Sequence, residues 1–374
     1  MEPTRLLRDL IALPSVNPAF LPAGDPRAGE QRVADYVAAL AARAGLELDF
    51  QQVLPGRRNV LARLTPREPV RQRVLLAPHL DTVGAEGNQL EPRRRGGRMH
   101  GRGACDTKGS VAAMLTALTR VATSGARPAT TEVVLAALVD EENAQSGSRK
   151  LARSGLRADL AIVGEPTQLK VVTAHKGDLW LRLATHGKAA HGARPELGVN
   201  AVHAMARILT ALEEDYIPGL GRRRHALLGR PTLNVGAIRG GQQPNIVPDR
   251  CEIDLDRRTL PSERDRAVVA DLRAWLKREG FEAELVDVKG APCPPLDTDP
   301  RLPLVRTLLT TAGQAGPAGV DFFCDAAILA RGGIPSVVFG PGDIAQAHTA
   351  DEWIALRSLE DAADLLTRYL RSLP

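Results

Sequence analysis

Aromatic residues are scarce in this chain. Three Trp, three Tyr and six Phe make up 3% of its 374 residues. A core must therefore be built from Leu, Val, Ala and Ile, and few rings are available to stack on bases. Only four cysteines are present, Cys105, Cys251, Cys293 and Cys324. They form no CxxC pair and no disulfide framework. Reduced thiols fit a cytoplasmic protein. Lysine is also rare, with seven copies, so the net charge of +5 rests on arginine. The densest runs, RRR at 93–95 and GRRRH at 221–225, have no aromatics among them. They read as solvated surface, not as a nucleic-acid site. No apolar run reaches the roughly 18 residues of a membrane-spanning helix. The opening stretch, MEPTRLLRDLIALPSV, carries charges inside its only apolar run. That argues against a secretory signal.

What is present is an alternation. Short apolar runs at 59–64, 73–78, 133–139, 159–164 and 335–340 read as strands. Between them, 30–45 and 109–122 show helical spacing. Strands alternating with helices predict an α/β domain with a largely parallel sheet flanked by helices. From 175 to 288 the pattern changes to strand, helix, strand, strand, helix, strand. This predicts an inserted two-layer α+β domain, with catalytic-domain segments at 1–174 and 289–374 on either side. Ser262 with Asp265, and Ser358 with Asp361, are placed to cap the two late helices.

The chemistry stands at the strand ends. LLAPHLDTV puts His79 and Asp81 after a strand, and GRGACDTKG puts Asp106 in a loop before a helix. LVDEE ends in Glu141 and Glu142, IVGEPT in Glu165, and the last strand leads to His348. In a parallel sheet these ends share one rim, where ligands bind. Taken singly, each is an ordinary surface residue or turn. Together they gather carboxylates that cannot all stay ionised without cations. Imidazole with carboxylate suits zinc or a neighbouring divalent metal. Adjacent residues of an extended chain point opposite ways, so Glu141 and Glu142 are assigned different tasks. His100, His186, His203 and His225 fit no ligand pattern; His175 lies beside Lys176 at the domain junction.

These motifs, with GKAAHGARPELGVNA and QPNIVPDRCEIDLDRR, resemble the dinuclear zinc amidohydrolase family of acetylornithine deacetylase, succinyl-diaminopimelate desuccinylase, aminoacylase and glutamate carboxypeptidase. GEPT, AHKG and GPGDIAQAH look most like acetylornithine deacetylase-like members. The resemblance implies a catalytic domain with an inserted lid that forms a homodimer. It implies two divalent ions, zinc with cobalt or manganese as alternatives. His79 and Glu165 would hold one, Glu142 and His348 the other, and Asp106 would bridge them. Asp81 would orient His79, and Glu141 would be the general base. His191 would stabilise the oxyanion, and Asn245 and Arg258 would contact substrate. The Asp106–Thr107 peptide bond would be cis. The reaction implied is hydrolysis of a small N-acyl amino acid, with no nucleic acid or membrane partner. A dipeptidase, a glutamate-type carboxypeptidase, a succinyl-diaminopimelate desuccinylase and a non-catalytic metal-binding relative are the alternatives. One departure stands out: Ala144 replaces the Gly usual two residues after the metal-binding Glu.

Overall fold

The computed structural model describes residues 2–374. The chain divides into two compact units. The first comprises residues up to Thr173, Thr298–Ala318 and Cys324–Pro374; the second comprises Ala174–Asp297 and Gly319–Phe323.

The first unit is a mixed α/β layer structure. Across its sheet the strands run Glu47–Leu54, Arg57–Leu64, Thr131–Ala137, Gln72–Ala77, Leu160–Val163, Ser336–Val338, with Val172–His175 at the far side. The middle four are mutually parallel, and the flanking pairs are antiparallel. Thr131–Ala137 is buried along its whole length. From Val133 onward its residues are all apolar, as suits a strand buried on both faces. The helix Lys108–Thr123 is buried on nearly every side, and small residues let it sit close. A side chain at Gly109 would meet the Ala104 carbonyl at 2.6 Å.

The second unit has a four-stranded antiparallel sheet in the order Thr232–Gly240, Arg250–Thr259, Gly177–His186, Glu284–Asp287. Helices Ala201–Ala211 and Asp265–Arg278 bury Met205, Ile208, Leu272 and Trp275 against Leu181, Leu183, Ile253 and Leu255. The unit continues past 288 to Asp297, because Leu296 and Asp297 pair with His175 and Ala174. Neither expected serine cap forms. The helix begins at Asp265, three residues after Ser262, with Arg264 at its cap position. The last helix begins at Leu356, so Ser358 lies inside it, where its hydroxyl accepts from the Gly342 amide. Among the described residues no helix is long and apolar enough to cross a membrane.

One buried ion pair fastens the second unit. The Arg257 side chain is fully enclosed and meets the Glu263 carboxylate at 2.6 Å. The other Glu263 oxygen accepts from the Leu260 amide. Removing one partner leaves an uncompensated buried charge, which costs about 3–5 kcal/mol. Glu263→Ala is therefore expected to lose stability on that scale in urea unfolding; an unchanged midpoint would contradict this.

Candidate metal centre

Each parallel strand delivers its functional side chain just beyond its carboxyl end. Gln72–Ala77 leads to His79 and Asp81, and Thr131–Ala137 to Glu141 and Glu142. Leu160–Val163 leads to Glu165, and Ser336–Val338 to the loop that carries His348. Asp106 sits in the turn immediately before the helix Lys108–Thr123, and the Asp106–Thr107 peptide bond is cis.

Asp106 joins the site together. Its Oδ1 lies 3.1 Å from His79 Nε2, and its Oδ2 lies 3.2 Å from His348 Nε2. His79 Nε2 also has Glu165 Oε1 at 3.8 Å, and His348 Nε2 has Glu142 Oε2 at 3.1 Å. Two imidazole–carboxylate groups thus share one carboxylate. Ligand atoms of His79, Asp106 and Glu142 all lie within 4.8 Å of one another. The His79 ring Nδ1 faces Asp81, with the backbone oxygen at 3.0 Å and the carboxylate at 3.4 Å. An acceptor on Nδ1 leaves Nε2 free to ligate. Among the described residues, only imidazoles form ion pairs with Asp106, Glu142 and Glu165. This donor set, rich in buried negative charge and poor in fixed cations, fits divalent metals.

The carboxylates and imidazoles hold each other in unusual protonation states. Burial, helped by the Asp106 charge, pushes the Glu142 carboxyl up to about 7. Burial also raises Glu141 and Glu165 well above the usual carboxylate range. Hydrogen bonds to Asp106 and Glu142 lift His348 to about 10. Burial opposes a charged His79, yet Asp106 and Asp81 raise it well above an ordinary imidazole.

The turn after Thr131–Ala137 differs from the extended chain assumed from sequence. Residues 141–144 form a turn, and the left-handed positions are Asp140 and Gln145, with φ of 68° and 53°. Ala144 is not among the positive-φ residues, so the missing Gly is not needed there. Asp81 anchors this turn: its Oδ1 accepts from the Glu141 amide at 3.0 Å and its Oδ2 from the Glu142 amide at 3.1 Å. Asp81 therefore holds the turn as well as facing His79.

Two further residues of the site, Glu352 and Asp325, belong to no ligand motif. Glu352 is buried, and its oxygens accept the amides of Gly103, Cys105 and Asp106 at 2.8–3.0 Å. It also pairs with Arg102 at 2.8 Å. Gly103, at φ +82°, makes this approach possible. Asp325 is fully enclosed, accepts from the Ser148 hydroxyl, and is pushed by burial to about 7. Glu352 follows His348 in the stretch HTADEW, and Asp325 stands in FFCDAA. A buried acid beside an apolar segment was the only signal.

The second unit holds His191, Asn245 and Arg258. His191 and Asn245 come together there: the residue after His191, Gly192, donates its amide to the Asn245 carbonyl at 2.7 Å. Both His191 and Asn245 are exposed. Arg258 is half-buried and pairs with Asp256 at 2.8 Å and Asp178 at 3.6 Å. His175 is fully buried, and its pKa is lowered by burial to about 4.

Fold and site together define a metal-dependent hydrolase. The chain belongs to peptidase family M20/M25/M40, whose model matches residues 75–372. An acetylornithine deacetylase of Myxococcus xanthus is 33% identical over 349 residues, covering 89% of this chain and 90% of that one. An M20 family metallo-carboxypeptidase of Sulfolobus solfataricus superposes with a TM-score of 0.78 at 20% identity, covering 99% of both chains. A dinuclear metal binding peptidase of Bacillus subtilis gives 0.71 at 15%, covering 99% of this chain and 96% of that one.

Asp106 and Glu142 favour the charged form of His348, as Asp106 and Asp81 do that of His79, so each imidazole would have to give up a proton to hold a metal ion. Binding of a divalent ion at pH 7 should then expel protons, about two if both histidines ligate. Affinity should rise with pH, up to about 10 where His348 loses its proton unaided. Calorimetry in buffers of different ionisation enthalpy reads this number; metal binding without proton release would contradict it.

Proposed function

We propose that this hydrolase cleaves the amide bond of a small N-acyl amino acid, giving a carboxylic acid and a free amino acid. The observation that carries the reading is Asp106, whose two oxygens face two separate imidazole–carboxylate groups. His79 and Glu165 would hold one divalent ion, Glu142 and His348 the other, with Asp106 between them; zinc suits these ligands. The chemistry that such ions supply is Lewis acidity toward a carbonyl and toward water.

The chain's own contribution is to move a proton. Glu141 takes it from the attacking water and passes it to the leaving amine. Its raised pKa suits a group that must keep the proton between those two steps. His191 is assigned to the oxyanion of an active site, that of a partner subunit. Asn245 and Arg258 are assigned to substrate, Arg258 by pairing with a carboxylate. Since Asp256 already engages Arg258, a substrate carboxylate must compete for it. The relative named acetylornithine deacetylase makes N-acetylornithine the first substrate to try. Four buried cysteines without a CxxC pair support a cytoplasmic setting.

Release of free amine from N-acetylornithine, N-succinyl-diaminopimelate, other N-acyl amino acids and dipeptides tests the reading. Turnover of dipeptides alone would replace it with a peptidase. Glu141→Gln should keep its metal and lose at least about 10²-fold in kcat, whereas Glu142→Ala and His348→Ala should lose metal as well. Near-parental turnover by Glu141→Gln, or full metal content in the other two, would overturn the roles. A homodimer through the second unit is expected in sedimentation; a fully active monomer would refute it.

A further inference from the structure

Behind the turn that carries Glu141 and Glu142 lies a buried polar cluster used neither by the ligand set nor by proton transfer. Its members are Asn17, Glu30, Arg57 and Asp140. Asn17 is fully buried and spends both amide hydrogens on carboxylates. It donates to Asp81 Oδ2 at 2.8 Å and to Asp140 Oδ1 at 2.9 Å. Its own oxygen accepts from the Ala19 amide at 3.1 Å. A flipped amide would turn that oxygen against two anions, so its orientation is set.

Arg57 holds the other side. Its guanidinium forks onto Glu30 at 2.8 and 2.6 Å, and its Nη2 lies 3.0 Å from Asp140 Oδ1. Glu30 in turn accepts the Asp140 amide at 3.1 Å. The Ser146 hydroxyl reaches the second Asp140 oxygen. Asp140 is thus gripped by backbone and side chain in a left-handed conformation that side chains seldom adopt. That one residue turns the chain from the buried strand into Glu141.

We infer that Asn17 and Arg57 are positioning residues for the general base. Neither touches the ligand set; Asn17 acts through Asp81 and Asp140, and Arg57 through Glu30 and Asp140. By holding these carboxylates they keep the amides of Glu141 and Glu142 on Asp81. The turn then sends Glu142 toward His348. The catalytic part of this inference rests on Glu141 being the base in the proposed reaction.

Two measurements on Asn17→Ala and Arg57→Ala test it, with Asn17→Ser and Arg57→Lys as milder changes. In metal-free protein, hydrogen exchange across 138–146 should speed up by about tenfold or more in Asn17→Ala, since Asp81 loses a buried donor. In metal-loaded protein, kcat per loaded molecule should fall about tenfold or more, with metal content kept and KM within about twofold. Arg57→Lys should recover part of the loss. A purely structural role would lower the melting temperature and leave kcat per folded, loaded molecule intact. Exchange unchanged from the parent, or a kcat loss that only tracks metal loss, would overturn the inference. Should the Ala variants fail to fold, the Ser and Lys variants decide on the same readings. If the parent hydrolyses no amide at all, the deacylase reading falls, and exchange alone still decides whether Asn17 and Arg57 hold the turn.

Discussion

A single carboxylate, Asp106, faces two imidazoles at 3.1 and 3.2 Å, and much of the first unit exists to keep it there. Two further carboxylates, Glu142 and Glu165, are gathered around the same imidazoles. Such a cluster is unfavourable on its own terms, because buried like charges repel and lose their hydration. Burial raises the carboxyls of Glu142 and Glu165, and the neighbouring carboxylates raise both imidazoles, so without metal protons offset the charge. Under the proposed reading, metal ions replace those protons. Ligand geometry and pH dependence are then two views of one charge balance.

Precision comes from groups outside the ligand set. Glu352 accepts three amides of one loop and so shapes the approach to Asp106. Asp81 does the same for the Glu141–Glu142 turn, and Asn17 and Arg57 hold it in place. Most of these are hydrogen bonds to a carboxylate inside a low-dielectric interior, where bonds to an ionised acceptor are strongest. These bonds form without any metal or substrate, which under the proposed reading suits the placing of a base beside a reacting water.

The parts legible in sequence are those governed by local pattern. Unbroken apolar runs mark the parallel strands, and the polar residue after each run marks the rim. His79, Glu142 and Glu165 can therefore be gathered from pattern alone, whereas Asp106, before a helix, and His348, in the loop after the last strand, are picked out by their motifs. Helix starts are less legible. Ser262 and Ser358 have the right spacing for caps, but the helices begin at Asp265 and Leu356, and Ser358 is used by Gly342 instead. Illegible altogether are Asn17, Arg57 and Glu352, whose partners include residues 64 and 250 positions away. Nothing local signals a contact at that separation. The left-handed turn is also hidden, since Asp140 rather than a glycine takes it.

If Asp106 divides one site between two metal ions, anomalous diffraction from crystals of the zinc-loaded protein will show it directly. Two peaks are expected, one against each Asp106 oxygen, the first also touching His79 and Glu165 and the second Glu142 and His348. One peak alone at full zinc occupancy, or two peaks of which only one contacts Asp106, would contradict that division.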